Sequence, residues 1–351
     1  MLRGNRPFSG EGELALPRDP RILLLRHDRI GDAIVSTPIV SLIRERFPAA
    51  TIGLLLGRRN RAAASLIPGV DMVHSLDGRP RGYLAIAGEL RRCRYDVVIN
   101  LLAKDSASGA LLTVLSGAGY RIGFQGEATT IYDRAIAHPK APAHIVSETS
   151  LLLAPLGIAP IGSRPAMRAE LLSITLPIDA QIAGLRFWEG IKRDIDSPRI
   201  VVNISASSPS KLWSDDHTRE LLDWLRSDGA TVAAAAAPPD HQRLEAIIGP
   251  GGHAALPVTS SLAEFAALLA PADIIITPDT SIVHIAAALA RPVVMLSASS
   301  AARSWGPWGV PCRIVGGDDD SIASVSVSDV AAAYSSLRSE TDRARGASSL
   351  I

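Results

Sequence analysis

Short, largely apolar runs alternate with segments of helical periodicity along most of this chain. Clear examples are residues 21–26, 95–101, 199–204 and 274–276, each followed by a polar turn. Strands that are apolar along most of their length are buried on both faces, as they are in parallel sheets covered by helices. The alternation therefore predicts an α/β fold with doubly wound parallel sheets.

Gly, Pro and polar residues divide the chain into its predicted elements. The predicted strands are residues 21–26, 51–56, 70–74, 95–101, 199–204, 231–237, 274–276, 292–296 and 312–315. The predicted helices include one that runs from the turn at 27–32 to residue 47, and others at 179–192, 215–227, 261–270, 285–290 and 328–338. Residues 231–237 are rich in Ala, but Gly and Pro on either side leave room only for a strand. No element is assigned within residues 117–165.

A polar segment that contains proline, residues 194–198, separates two stretches of this alternation. A chain of 351 residues, 47% of them apolar, can fill two cores. We predict a loose leader at residues 1–20, an N-terminal domain at 21–197, a C-terminal domain at 198–340 and a tail at 341–351. Ligands of doubly wound sheets bind at the carboxyl ends of the strands, so two facing domains would hold a ligand in a cleft.

The composition narrows the classes of partner. A net charge of +1 creates no general attraction to nucleic acid. Cys93 and Cys312 belong to no Cys or His cluster, which argues against a disulfide framework or a zinc site and fits a reducing cytoplasm. Residues 1–20 lack the apolar core of a signal peptide, and no run of about 18 apolar residues occurs. We expect a cytoplasmic protein without a membrane-spanning helix.

Residues 274–296 predict a strand, a turn, a helix and a second strand. The turn and the first part of the helix contain Asp279, Thr280, Ser281 and His284. Unpaired backbone N–H groups and the positive end of the helix dipole make such a helix start a site for anions. The segment therefore predicts a phosphate-bearing ligand, with an ordinary capped helix and a packed histidine as the alternative.

Asp32 lies at the start of the first predicted helix, directly after Gly31. Glycine would let the backbone turn tightly and approach a substrate, and a carboxylate at this position could act as a general base. The alternative is a favourable interaction of Asp32 with the helix dipole, which is what spacing alone favours.

Two more loops follow predicted strands of the second domain. The loop 205–213 offers hydroxyls, including those of Ser207 and Ser208, and the ammonium group of Lys211 to phosphate oxygens. The loop 238–241 contains Asp240, which could accept hydrogen bonds from a ribose or could cap the next helix. Both loops lie where parallel sheets bind their ligands.

Three of these motifs occur in a fixed order along the chain. They are Arg29-Ile30-Gly31-Asp32 after the first strand, Lys211-Leu212-Trp213 before a helix, and the segment that runs from Asp279 through His284 to Leu289. In order and spacing the set resembles glycosyltransferase family 9, the heptosyltransferase family, over about residues 21–337. The resemblance implies a GT-B fold of two Rossmann-like domains, with the acceptor on the first and the nucleotide sugar on the second.

The resemblance also implies roles for single residues. Asp32 matches the catalytic base, which would take the proton from an acceptor hydroxyl as its oxygen attacks the anomeric carbon with inversion. Lys211, Thr280, Ser281 and the helix start after Asp279 match positions that hold the diphosphate of the donor. The other residues assigned to substrate binding are Arg29, Gly31, Ser207, Ser208, Asp240 and His284.

Two positions depart from the pattern common in the family. Asp28 stands where many members have Ser, and Ser281 stands where many have Gly. These departures leave the donor sugar open. Arg58, Arg59 and Arg61 follow a strand of the acceptor-side domain and could bind an anionic acceptor or contact the inner membrane peripherally. A solvated basic surface is the favoured alternative for them.

Other functional classes fit the sequence less well. A metal-dependent transferase would use an Asp-x-Asp pair, and residues 194–196 and 318–320 supply two such pairs in polar loops. A dinucleotide oxidoreductase would need a GxGxxG loop, and the glycines in residues 117–123 have a different spacing. A noncatalytic nucleotide-sugar binder would not need a base, and the presence of Asp32 argues against it.

We therefore predict an inverting, metal-independent glycosyltransferase. It moves a sugar, with heptose from ADP-heptose favoured, to a lipopolysaccharide core or another cell-envelope glycan. The nucleotide sugar is a substrate, so no cofactor is expected. The main alternative is a transferase of the same fold that uses another nucleotide sugar or acceptor.

Overall fold

A computed structural model of the chain contains two units, Met1–Ser173 and Ile174–Ile351. It describes residues 12–104, 106–163, 171–191, 197–249, 253–298, 302–317 and 321–348. Each unit holds one six-stranded sheet in which all paired strands are parallel. The predicted class, α/β with two doubly wound parallel sheets, is confirmed.

The first unit alternates strands with helices from residue 21 onward. Its strands are β1 Arg21–Leu25, β2 Thr51–Gly57, β3 Met72–Leu76, β4 Val97–Asn100, β5 Tyr120–Phe124 and β6 Arg134–Ile136. Its helices are α1 Ile30–Ile34, α2 Thr37–Arg46, α3 Pro80–Cys93, α4 Ala107–Leu115 and α5 Ile145–Ser150. Short 3-10 helices lie at Arg61–Leu66, Thr129–Ile131 and Leu151–Leu156.

The strand order of the first sheet is β3-β2-β1-β4-β5-β6. The chain therefore winds outward in one direction from β1 and in the other from β4. At such a switch point the loops that leave neighbouring carboxyl ends diverge, and they leave a crevice in which parallel sheets bind ligands. The residues that follow β1 lie at this crevice.

One prediction for the first unit needs correction, and one segment without predicted elements contains several. The helix predicted to run to residue 47 is divided into α1 and α2 at Val35 and Ser36. Pro38 explains the division, because proline fits the first turn of a helix but blocks a continuous helix through that point. Residues 117–165, where no element is assigned from sequence, contain β5, β6 and α5. β6 has only three residues, too few to show a pattern.

The second unit contains the remaining elements. Its strands are β7 Arg199–Asn203, β8 Thr231–Ala235, β9 Ala254–Ala255, β10 Ile274–Pro278, β11 Val293–Ser297 and β12 Cys312–Gly316. Its helices are α6 Ile178–Glu189, α7 Asp215–Ser227, α8 His241–Ile248, α9 Leu262–Leu269, α10 Ser281–Ala288, α11 Ala302–Trp305 and α12 Val327–Ser348. The closing helix is longer than the predicted 328–338. Short 3-10 helices lie at Pro209–Lys211 and Pro238–Asp240.

The order of the second sheet is β12-β11-β10-β7-β8-β9, so its switch point lies between β7 and β10. The loops after these two strands carry the predicted residues Ser207, Lys211 and Asp279. The local fold thus brings together side chains that are far apart in sequence.

Helix α6 belongs to the second unit, whereas the second domain is predicted from sequence to begin at residue 198. Gly184 of α6 packs directly against the main-chain carbonyl of Ala267 in α9. The indole Nε1 of the buried Trp188 donates a 2.9 Å hydrogen bond to the carbonyl of Leu268. These contacts tie α6 to α9 ahead of the Pro-containing segment.

Within the described part of the chain, no helix has both the length and the apolar character needed to cross a membrane.

Candidate functional site

The end of β1 and the short helix α1 place Asp32 at the switch point of the first sheet. Arg26, the first residue after β1, is 1% exposed, and its Nε donates a 2.9 Å hydrogen bond to the main-chain carbonyl of Asp32. Ser36 Oγ donates a second 2.9 Å hydrogen bond to the same carbonyl. Two side chains therefore hold the backbone of Asp32 and leave its carboxylate free of these contacts.

Burial sets the protonation behaviour of Asp32. Its side chain is 12% exposed, and burial raises the pKa of the carboxyl from 3.8 to about 6, since a buried carboxylate loses hydration. The positive charge of Arg26 opposes this rise, and the negative charge of Asp28 adds to it. Asp32 is thus ionised at neutral pH, yet it is a stronger base than an exposed aspartate.

The neighbours predicted for the Asp32 motif have different environments. Arg29 is the N-cap residue of α1 and is exposed. Gly31 is helical and does not adopt a positive φ, so the backbone makes no turn here that only glycine allows. Its close approach to a substrate stays a prediction. α1 has five residues, so its dipole is small and gives weak support to the alternative role of Asp32.

Residues from two other loops support the turn after β1. Asn60 Nδ2 donates a 2.6 Å hydrogen bond to the carbonyl of Arg26, and His27 Nε2 lies 2.9 Å from Ser108 Oγ. Burial lowers the pKa of His27, which favours its neutral form. The exposed arginines of the nearby turn after β2 are Arg58, Arg59 and Arg61. Sequence reasoning missed Arg26 and Asn60 because their roles depend on contacts across the sheet.

In the second unit, Lys211 and Asp279 form an ion pair at the switch point. Lys211 Nζ lies 2.5 Å from Asp279 Oδ2 and 3.4 Å from the carbonyl of Asp279. Lys211 follows β7, and Asp279 follows β10, which pairs with β7. Both side chains are partly exposed, at 29% and 20%. The ammonium group is therefore within reach of solvent and of an anion.

The start of α10 lies next to this ion pair. Thr280 is the N-cap residue, and its Oγ1 accepts a 3.3 Å hydrogen bond from the backbone N–H of Ile282. Ser281 is the first helical residue and is half-buried. His284 is 4% exposed and makes an edge-on contact with the ring of Trp305 at 6.4 Å. Thr280 satisfies the N–H of Ile282 through its side chain and the N–H of Val283 through its carbonyl, over 3.2 Å. This capping does not exclude an anion, which the positive end of the helix dipole still favours.

A hydrogen-bonded chain crosses the sheet below this helix start. Asn203 Nδ2 donates to Thr277 Oγ1 over 3.0 Å, and Thr277 Oγ1 lies 3.3 Å from Thr280 Oγ1. These bonds join the end of β7 to the end of β10. Asn203 and Thr277 are functional candidates that the sequence analysis missed; polar residues at the ends of two apolar strands were the available signal.

Asp240 does not cap α8, although it occupies the N-cap position. Its Oδ2 instead accepts a 2.5 Å hydrogen bond from Ser205 Oγ, which in turn accepts one of 2.8 Å from the backbone N–H of Ala237. The simple capping alternative for Asp240 is therefore wrong. In the loop after β7, which also contains Ser205, Ser207 is exposed, and Ser208 Oγ lies 3.3 Å from Ser210 Oγ.

The described residues contain no group of three or more His, Cys, Asp or Glu side chains placed to bind one metal ion. The two predicted Asp-x-Asp pairs, at 194–196 and 318–320, lie outside the described residues.

Comparison with known proteins gives concordant matches. Residues 83–334 match the model of glycosyltransferase family 9 (heptosyltransferase); Asp32 precedes this segment. Lipopolysaccharide heptosyltransferase 3 of Escherichia coli is 25% identical over 306 residues, which cover 79% of this chain and 82% of that protein. A family 9 glycosyltransferase structure from Veillonella parvula aligns with a TM-score of 0.80 at 18% identity, over 93% of this chain and 99% of that one. The structure of E. coli ADP-heptose lipopolysaccharide heptosyltransferase II aligns with a TM-score of 0.72 at 20% identity, over 92% and 99%.

Proposed function

The chain belongs to glycosyltransferase family 9, and from this premise we propose that it transfers heptose from ADP-heptose to a lipopolysaccharide core acceptor with inversion. Membership makes the chain a glycosyltransferase of the heptosyltransferase type. The names of its relatives support the donor and the acceptor class, since one is a lipopolysaccharide heptosyltransferase and another an ADP-heptose lipopolysaccharide heptosyltransferase. The observation that carries the mechanism is the buried Asp32 carboxylate, whose pKa is raised to about 6.

Asp32 acts as the general base in this proposal. Its carboxylate takes the proton of an acceptor hydroxyl while the hydroxyl oxygen forms a bond to the anomeric carbon of the donor. The bond from that carbon to the diphosphate breaks, and the electron pair leaves with the phosphate oxygen. One direct displacement inverts the anomeric centre. A base of pKa near 6 is ionised at neutral pH and still accepts a proton readily, a contribution of about 10²–10⁴-fold.

Lys211 and the start of α10 hold the leaving diphosphate. The Asp279 carboxylate forms an ion pair with the Lys211 ammonium group in this structure. A diphosphate carries more negative charge than one carboxylate, so it competes for the same ammonium group and is attracted by the positive end of the α10 dipole. The positive charge then offsets the charge that develops as the diphosphate departs.

Asp240 is proposed to accept hydrogen bonds from the ribose of the donor. It lies at the end of the loop after β8, and Ser205 orients its carboxylate. Thr280, Ser281 and His284 complete the proposed donor site. The donor is a substrate, and the proposal includes no resident cofactor or metal ion.

Arg58, Arg59 and Arg61 are proposed to meet the anionic part of the acceptor at the cytoplasmic face of the inner membrane. All three are exposed, and they lie at the carboxyl end of β2, the strand that pairs with β1. Basic side chains at this edge favour a phosphorylated glycolipid. Sedimentation with anionic and neutral vesicles would test the contact; equal binding of the wild type and an Arg58→Ala, Arg59→Ala double variant would contradict it.

The decisive assay is a panel of ADP-, GDP-, UDP- and dTDP-sugars with lipopolysaccharide core acceptors of defined length, with and without EDTA. We expect turnover with ADP-heptose that is resistant to EDTA and is lost in Asp32→Ala. Turnover with another nucleotide sugar alone would identify a different donor in the same site, for which the Ser at position 281 is the candidate cause. Tight donor binding without turnover would favour a noncatalytic binder, and loss with EDTA a metal-dependent reaction.

A further inference from the structure

Two carboxylates, those of Asp28 and Asp32, lie close to one buried guanidinium group in the first unit. Arg26 Nη1 is 3.6 Å from Asp28 Oδ2, and Arg26 Nη2 is 3.7 Å from Asp32 Oδ1. These distances allow strong electrostatic attraction but exceed those of hydrogen bonds. Neither carboxylate is therefore tied to the guanidinium by a short bond.

The hydrogen bonds of Arg26 go to the main chain instead. Its Nε donates to the carbonyl of Asp32, and its Nη1 donates to the carbonyl of Leu101. These bonds fix the guanidinium in place, and its Nη2 has no hydrogen-bond partner within the described residues. The position of the positive charge is thus set by the backbone, independently of which carboxylate it attracts.

Two negative charges consequently share one positive charge. The charged groups that act on the Asp32 carboxyl are Arg26, Asp28 and Arg29, and Arg29 is exposed, so water screens its charge. Asn60 and Ser108, which reach this turn from other elements, are uncharged. His27 favours its neutral form because burial lowers its pKa.

We propose that Asp28 is a positioning residue of the transfer reaction that acts through Asp32. By taking up part of the positive charge of Arg26, Asp28 leaves Asp32 a stronger base than a carboxylate with a guanidinium to itself. The proposal rests on the proposed function, in which Asp32 accepts the proton of the acceptor hydroxyl. After that step the proton resides on the Asp28 and Asp32 pair, and the leaving diphosphate carries the displaced electron pair.

Several observations support this role. The negative charge of Asp28 raises the pKa of Asp32, whereas the positive charge of Arg26 lowers it. One oxygen of Asp28, Oδ1, is buried without a hydrogen-bond partner within the described residues. The Asp28 side chain as a whole is 29% exposed. Asp28 thus remains available to Arg26 and Asp32.

The test compares the pH dependence of kcat/KM in the wild type, Asp28→Asn and Asp28→Glu. Without the second negative charge, Asp32 should ionise more easily, so the acid limb of the Asp28→Asn profile should move down by about one pH unit. The rate on the plateau should fall on the order of three-fold, because a weaker base takes the proton less readily. Asp28→Glu should restore the limb toward its wild-type position. Asp19→Asn, at an exposed position just before β1, is the matched control and should change neither.

A second measurement keeps the inference separate from the proposed function. In protein labelled at the aspartate carboxyl carbons, NMR titration follows Asp32 directly, with Asp32→Asn supplying the assignment. The titration midpoint of Asp32 should fall in Asp28→Asn whether or not the protein turns over a donor. A lowered midpoint without any turnover would support the interaction between the two carboxylates and overturn the proposed function. The opposite result is also possible: transfer depends on Asp32, but Asp28→Asn changes neither the titration midpoint of Asp32 nor the acid limb of the kcat/KM profile. That result would overturn the role of Asp28 and leave the proposed function standing.

Discussion

Replacing Asp32 by Asn should stabilise the fold at high pH while it removes the proposed base. The pKa of this carboxyl is about 6 in the folded chain against an ordinary 3.8. At about 1.4 kcal/mol per pH unit, the difference corresponds to about 3 kcal/mol. Because the folded-state pKa is raised, the wild type has this stability in full below pH 3.8 and loses it as the pH rises through about 6. Asn cannot ionise and loses nothing.

The measurement is the free energy of unfolding in urea for both proteins between pH 4 and pH 8. The advantage of Asp32→Asn should grow by about 2 kcal/mol over this range. Comparing two pH values removes any constant difference between Asn and a protonated Asp. Far-UV circular dichroism is the appropriate signal, because all five Trp residues lie after residue 173 and report on the second unit.

Asp19→Asn serves as the control, since an exposed carboxylate should change the unfolding free energy little at any pH. The difference in unfolding free energy between Asp32→Asn and the wild type could instead stay constant or shrink as the pH rises. Either result would refute the claim that the fold raises the pKa of Asp32.

Four further predictions concern the donor site of the second unit and the packing of both units. Lys211→Ala should lower kcat/KM on the order of 10²–10³-fold in initial-rate assays, because the charge that offsets the leaving diphosphate is lost; an unchanged rate would contradict this role. Ser205→Ala removes the hydrogen bond to Asp240 and should raise the donor KM several-fold with little change in kcat. Gly184→Ala should lower the urea midpoint of the second unit, since a Cβ there meets a main-chain carbonyl of α9. Gly88→Ala in α3, where a Cβ would lie 3.8 Å from the flexible end of the Arg92 side chain, should instead stabilise the first unit by about 0.5–1 kcal/mol.

The parts of the fold that sequence predicts well are those with a local cause. The predicted helix at 215–227 matches α7, Asp215–Ser227, because Ser214 supplies the N-cap and acidic residues fill the first turn. The Ala-rich segment 231–237 forms β8 as predicted, since the Gly and Pro residues beside it leave no length for a helix. Helix capping and the length of a segment between Gly and Pro residues can both be assessed from residues that are neighbours in sequence.

The features that sequence does not predict depend on contacts between distant segments. Lys211 and Asp279 are 68 positions apart, and only the pairing of β7 with β10 brings them together. A buried arginine such as Arg26 contradicts the usual exposure of charged residues, and its position makes sense only once the Leu101 carbonyl and the two carboxylates are placed around it. Position in sequence locates the Asp32 motif, but burial first and the surrounding charges second determine the pKa of its carboxyl.

The most direct test of the account is the pH dependence of heptose transfer from ADP-heptose by the wild type and Asp32→Asn. We expect kcat/KM of the wild type to fall as the pH drops through about 6, because the base is then protonated, and we expect Asp32→Asn to lose activity by at least 10²-fold at every pH. Comparable transfer by Asp32→Asn, or a wild-type profile that stays flat from pH 5 to pH 8, would contradict the assignment of Asp32 as the base.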